Sequence, residues 1–281
     1  MTIKLWISDF LKTQALSTVV MGIVIGVGLW IIRSSPDHWW LFIWGFFFLF
    51  SIFMMYISPY IIEPLFNKFT PLEGEGLPER IRVMMEKAGI KVSRVFRIDA
   101  SKRSRHTNAY FTGVGKVKRI VLYDTLLSMM EEDEVLAVLA HEAGHWKKKH
   151  LLRMLLLFET LSLVATYTAF RILQSDILTD IFRLQGEPFF SKIIILGVLA
   201  GIIALPFTPF FSALSRRHEL EADRFAVGLS EKPKALAISL IKLSKDNLAN
   251  LHPHPLYAWF YYSHPPVVKR VDRIKEMAYQ K

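Results

Sequence analysis

The sequence predicts a mostly α-helical integral membrane protein with about four transmembrane helices and a cytoplasmic α+β region holding a small β-sheet. Three observations predict it. Hydrophobic residues make up 52% of the 281, high for a water-soluble domain. Four stretches are long and apolar enough to span a bilayer. Between them, residues 141–145 read His-Glu-Ala-Gly-His, a spacing that on a helix turns two imidazoles to one face, where they can share a metal ion.

The first span is Leu16 to Ile32, 17 residues without a charge. Lys4 and Lys12 precede it, but Asp9 intrudes and no small-residue cleavage site follows, so a retained anchor is expected. Gly22 and Gly26 have the small-xxx-small spacing that packs helices in some spans and is merely tolerated in others. Trp39 to Ile62 follows, 24 uncharged residues with tryptophans at the edge, as membrane interfaces favour. Pro78 to Ala88 reads as a helix, with proline near its start and Gly89 at its end. Arg94–Ile98, Asn108–Thr112 and Arg119–Tyr123 read as strands, the last two joined by a turn containing Gly113 and Gly115. The Gly-Val-Gly-Lys at 113–116 lacks the spacing of a phosphate loop.

The next helix carries the histidines. Ser128 with Glu131 resembles a capping box, the acidic run Glu131–Glu134 suits a helix N-terminus, and Val135, Leu136, Val138 and Leu139 form an apolar face. A third span, Met154–Phe170, contains Glu159, which is expected to line a cavity or pair with Arg153 or Arg171. The fourth, Ile193–Leu214, should be kinked or ended by Pro206 and Pro209. Pro233–Asn247 is predicted helical, with Leu236, Leu240 and Leu243 facing a core. His252 and His254 straddle Pro253 in a surface loop. The chain thus divides into 1–62 (two transmembrane helices), 63–150 (cytoplasmic, with hairpin and metal helix), 151–214 (two more transmembrane helices) and 215–281 (C-terminal helices).

Charge orients these parts. Residues 63–150 hold 16 Lys and Arg and residues 215–281 hold 12, whereas 33–38 holds only Arg33 and 174–192 only Arg183 and Lys192. Positive residues collect on the cytoplasmic side, so both polar regions are expected there, with anionic lipid headgroups as partners for the net charge of +10. No nucleic-acid motif accompanies that charge, and no nucleic-acid partner is expected. With no cysteine in the chain, disulfides and thiol catalysis are excluded.

His141 and His145 are the candidate metal ligands. Glu142 sits beside them, free to take a proton from water. A catalytic site needs a third protein ligand. His150 does not supply the metzincin pattern, because Lys148 and Leu151 stand where glycine and histidine are needed; it is expected at the membrane surface. Glu219 could bind the ion, with Asp223 one turn on accepting the outer N–H of a ligand histidine. From the residues alone, a solvated charged helix explains that stretch at least as well.

A resemblance adds to this. The run Leu136–Lys147, containing Val-Leu-Ala-His-Glu-Ala-Gly-His-Trp, resembles the zinc helix of the type I CAAX prenyl endopeptidases, integral-membrane gluzincin metalloproteases with a zincin-like catalytic region. His106–Phe111 with Lys118–Leu127 is similar to their hairpin, Glu219–Ala226 to their third-ligand helix, and Tyr262–Pro266 with Arg270 to their C-terminal motif. The four blocks are collinear and match roughly the C-terminal three-fifths of a family member. The resemblance implies one zinc ion per chain held by His141, His145 and Glu219, Glu142 as general base, and His264 as support for the tetrahedral intermediate. It also implies peptide or protein substrates, lipidated at a C-terminal Cys in the eukaryotic setting.

The expected function is therefore a membrane-embedded zinc endopeptidase, with its site toward the cytoplasm of a bacterial inner membrane or the endoplasmic reticulum. Asn108, Ala109, Tyr110 and Phe111 are expected to bind substrate along an exposed strand edge, although without the resemblance an ordinary hairpin accounts for them equally. Arg270 is expected to contact a carboxylate of substrate or protein. A quality-control protease without lipid specificity and a non-catalytic zinc-binding scaffold are the alternatives.

Overall fold

The computed structural model describes residues 1–73, 76–112, 117–186 and 189–279. Its elements run α1 (Ile3–Ser34), α2 (Trp39–Ile57), a π-helical turn (Ser58–Ile62), α3 (Glu63–Phe66), β1 (Phe69–Pro71), α4 (Leu77–Lys87), β2 (Lys91–Ile98), β3 (Ala109–Thr112) and β4 (Val117–Tyr123). After these come α5 (Asp124–Met129), α6 (Glu132–Lys147), α7 (His150–Gln174), α8 (Ile177–Phe182), α9 (Phe189–Ala204), α10 (Thr208–Ser230), α11 (Pro233–Asp246), α12 (Pro255–Tyr261) and α13 (Val267–Tyr279). The predicted turn at Gly113 and Gly115 lies outside the described residues.

The chain forms two compact units. One comprises Thr2–Met55 and Leu152–Phe207. Its helix α2 is uncharged along its whole length and buries no residue within the protein, the pattern of a helix whose solvent is lipid. Among the described residues, four helices are long and apolar enough to cross a membrane. The first starts well before Leu16, because Thr2 caps α1 by accepting from the Leu5 amide at 3.3 Å and the helix continues through Lys4, Asp9 and Lys12. A 3-10 turn at Leu205–Phe207 interrupts the fourth at Pro206, as expected of a residue without an amide hydrogen. A Cβ at Gly22 or Gly26 would meet nothing within 4 Å, so neither glycine is in close contact with another helix among the described residues. The Glu159 carboxylate accepts from Ser51 Oγ at 3.3 Å and Ser162 Oγ at 3.5 Å. Arg171 turns instead to the Tyr167 hydroxyl at 3.1 Å.

The other unit comprises Tyr56–Leu151 and Thr208–Lys281, together with Met1. Its sheet has the order β1-β2-β4-β3, with β2 and β4 parallel and the outer strands antiparallel to their neighbours. The three expected strands are all present. β1 is an addition that three residues could not announce. Ile81 and Met85 of α4, Ile120 and Leu122 of β4, Leu139 of α6, Leu236 of α11 and Ile274 of α13 meet in one core. α4 ends at Gly89, whose φ of +68 closes a Schellman turn through the Gly89 and Ile90 amides.

α6 runs through the middle of that core, with ten of its sixteen residues buried. Its cap differs from expectation: Glu131, not Ser128, begins the helix, in a reciprocal capping box with Glu134. Ser128 instead donates to the Thr125 carbonyl at the end of α5. A short helix therefore occupies the residues that the expected box would have needed extended.

Candidate metal centre

α6, α10 and α13 build the site. α10 reaches α6 at Gly144, where a Cβ would stand 3.0 Å from Ala222 Cα and 3.1 Å from its carbonyl oxygen. Only glycine lets the two helix backbones come that close. The approach sets Glu219, on α10, opposite the two histidines.

His141 Nε2 and His145 Nε2 are 3.1 Å apart. Glu219 Oε2 lies 3.5 Å from the first and Oε1 3.3 Å from the second. A tetrahedral ion bonded at 2.0–2.1 Å sets its ligand atoms roughly 3.3 Å apart, so this trio fits a metal ion, and its three donor atoms all lie within 4.8 Å of one another. No other group of three or more His, Cys, Asp or Glu side chains among the described residues has that geometry.

The surroundings are charged and largely buried. Asp223 Oδ1 is 2.9 Å from His141 Nδ1, so the carboxylate takes the outer N–H and turns Nε2 toward the trio. Arg270, only 6% exposed, donates through Nε and Nη2 to the two oxygens of Asp223 at 2.8 and 2.6 Å. Its Nη1 lies 3.0 Å from Glu219 Oε2. Of the two partners expected for Arg270, the structure gives it the protein carboxylates. Burial opposes charge on His141, but the hydrogen bonds to Asp223 and Glu219 outweigh it and raise the ring to about 9. A proton or a metal ion is what this cluster attracts.

Glu142 lines the same cavity of about 370 Å³ as the trio, with Val138, Leu236, Ser239, Leu240 and Leu243 as the other wall. Burial pushes its carboxyl up, partly opposed by His141 and His145, which makes it a stronger base than an exposed glutamate. His264, 65% exposed, reaches in with Nδ1 3.1 Å from Glu219 Oε2. The turn before it is held by Arg216, whose Nη1 donates to the Ala258, Trp259 and Tyr262 carbonyls at 3.3, 3.2 and 2.7 Å.

Other predicted residues fall elsewhere. β3 is an edge strand, but none of Asn108, Ala109, Tyr110 and Phe111 lines the cavity. Ala109 is buried in the core, and the Tyr110 hydroxyl donates to Glu63. His150 is not a surface residue. It is buried, with Nδ1 3.1 Å from His145 Nδ1. Sequence reasoning missed Ser239 and the α11 wall, because a leucine-rich amphipathic helix has the same pattern whether it covers a core or a cleft.

A trio with the geometry to hold a metal ion and a carboxylate beside it, joined in one chain to helices built for lipid, defines a class: a membrane protein with a metallopeptidase-type centre. The family follows from comparison. The model described as peptidase family M48 matches residues 71–278, and one described as CAAX prenyl protease N-terminal, five membrane helices, matches residues 1–68. The chain belongs to peptidase family M48 and is an integral membrane protein; membership implies a metal cofactor. It is 36% identical over 279 residues to an Arabidopsis thaliana protein named CAAX prenyl protease 1 homolog, covering 97% of this chain and 64% of that one. Against CAAX prenyl protease 1 of Saccharomyces cerevisiae the identity is 35%, covering 100% and 65%. The crystal structure of S. mikatae Ste24p superposes with a TM-score of 0.88 at 33% identity, covering 97% of this chain and 67% of that one. The chain thus spans just under two thirds of the length of these curated relatives.

Proposed function

We propose that this chain is a zinc-dependent membrane endopeptidase. The observation that carries the reading is the convergence of His141, His145 and Glu219, at tetrahedral spacing, in one cavity with Glu142. Two imidazoles and one carboxylate are a zinc set with one position left for water. When bound, zinc lowers the pKa of water and polarises a peptide carbonyl.

The chain's own groups do the rest. Glu142 takes a proton from the attacking water on a carboxylate oxygen and passes it to the leaving amine. His264, at the mouth of the site, donates a hydrogen bond to the oxygen that gains charge as the carbonyl is attacked. Asp223 fixes the His141 ring, and Arg270 neutralises the paired carboxylates so that Glu219 and Asp223 can be buried together. Asn108 to Phe111 offer a strand edge to an extended peptide.

The relatives' names point to substrates ending in a lipidated cysteine motif. Under this reading residues 1–62 and 151–214 lie in the bilayer, and residues 63–150 and 215–281 lie on the cytoplasmic side, in a bacterial inner membrane or the endoplasmic reticulum. The support is the concentration of Lys and Arg in the two polar regions.

The deciding experiment uses the detergent-purified chain with a fluorogenic peptide. Glu142→Gln should keep one zinc per chain and lower cleavage by about 10²–10⁴-fold. Undiminished turnover in that variant overturns the mechanism. Comparing a farnesylated peptide with its unmodified twin tests substrate class, and equal rates remove lipid recognition in favour of general membrane-protein cleavage.

A further inference from the structure

We infer that His150 and Glu221 form an outer pair that fixes the tautomer of His145, so that its Nε2 lone pair is turned toward the metal site. The inference deepens the metal-site reading above and rests on it.

The geometry is a chain of ring nitrogens. His145 Nε2 faces the trio, 3.3 Å from Glu219 Oε1. On the other side of the ring, Nδ1 lies 3.1 Å from His150 Nδ1, and His150 Nε2 lies 3.2 Å from Glu221 Oε2. An ionised carboxylate can only accept, and a neutral imidazole carries one N–H. Glu221 therefore draws the proton of His150 to Nε2. That leaves His150 Nδ1 bare, and it can only accept. The hydrogen between the two rings must then belong to His145 Nδ1, which leaves His145 Nε2 unprotonated. Asp223 does the same for His141 in one step. Both ligand rings are thus held in the form that binds a cation.

Local structure explains why the second arm needs two steps. Glu219 and Asp223 are four residues apart and share a face of α10, whereas Glu221, two residues on from Glu219, is turned about 200° away. Glu221 reaches the outer nitrogen of His145 only through another ring. In an unbroken helix His150 would sit about 140° around the axis from His145. The helix is broken: Lys149 adopts φ +56, and its amide bonds the Trp146 carbonyl. This left-handed residue swings His150 back against His145. A non-glycine residue adopts that conformation only at a cost in backbone strain. His150 is then clamped, 3% exposed, with its ring 4.1 Å from that of His218 and nearly parallel at 12°.

The test measures zinc affinity of the full detergent-solubilised chain by competition with a chromogenic chelator, together with melting of the zinc-loaded protein. His150→Phe keeps ring volume and stacking but cannot accept from His145. It should weaken zinc binding by about 10–100-fold while the loaded protein still melts cooperatively. His150→Gln offers a carbonyl acceptor to His145 and an amide donor to Glu221, and should stay within about threefold of the parent, a rescue that a purely space-filling role does not predict. Should His150→Phe fail to fold, Glu221→Ala carries the test, with an expected weakening of about tenfold. A parent chain that takes up no zinc overturns the metal site and this inference together. A parent that binds zinc, with the folded His150→Phe or Glu221→Ala chain binding within threefold of it, overturns this inference alone.

Discussion

The two units of this protein hold their carboxylates by opposite means. In the unit of Tyr56–Leu151 and Thr208–Lys281, Glu219 and Asp223 are 4% and 2% exposed and are met by a guanidinium and by imidazoles. In the apolar unit, Glu159 is met by the hydroxyls of Ser51 and Ser162. The first arrangement stores charge, so removing one partner leaves the others stranded. The second places hydroxyl dipoles, and no cation, beside the carboxyl group.

Variants can break or sharpen that contrast. The largest effect is expected at Arg270. Arg270→Met leaves two buried carboxylates without their cation and should destabilise its unit by about 3–5 kcal/mol, read as a fall in melting temperature of the purified chain. A change under a degree would remove Arg270 from the role given it here. Next comes Gly144→Ala, where the added methyl would press on the Ala222 backbone of α10. Overpacking of this kind costs about 1–3 kcal/mol. Because it forces apart the helices bearing the trio, zinc affinity should fall with stability, and a drop in stability alone would mean that the approach at Gly144 does not set the ligand spacing. Asp223→Asn should weaken zinc binding about tenfold, since the amide can present N–H to a ring that must itself donate; chelator competition reads it. Smallest should be Glu159→Gln, which keeps the side-chain shape and an acceptor for Ser51, within about 0.5 kcal/mol of the parent. A loss as large as that of Arg270→Met would show the two units to be alike after all.

Much of the fold was legible because lipid-facing helices, strands and helix ends leave local marks. The uncharged runs, the Gly89 terminus and the strand Arg119–Tyr123 depend on nearby residues only. So did the spacing of His141 and His145, which any α-helix converts into a shared face. Periodicity alone could not settle Glu219, since Glu219, Glu221 and Asp223 look alike along the chain; the resemblance named it, and the closeness of α10 to α6 at Gly144 is what sets it opposite the histidines. His150 was misplaced for a related reason. Helical phase puts it far from His145, and nothing in a run of three lysines announces that the third takes a left-handed turn. The capping box slipped by three residues because α5 claimed Ser128, a competition between two short helices that a single motif match does not see.

That lysine run carries a wider consequence. Lys147 Nζ clasps the Ala88 carbonyl at 2.8 Å, Lys148 closes α6 through its amide, and Lys149 reverses the backbone. Three identical side chains thus hold three unrelated posts, and for two of them it is the main chain that matters. Swapping these cations for other long residues should therefore be forgiven far more readily than inserting or deleting a single position between Trp146 and His150, which would swing the ring out of register like a key cut one notch off.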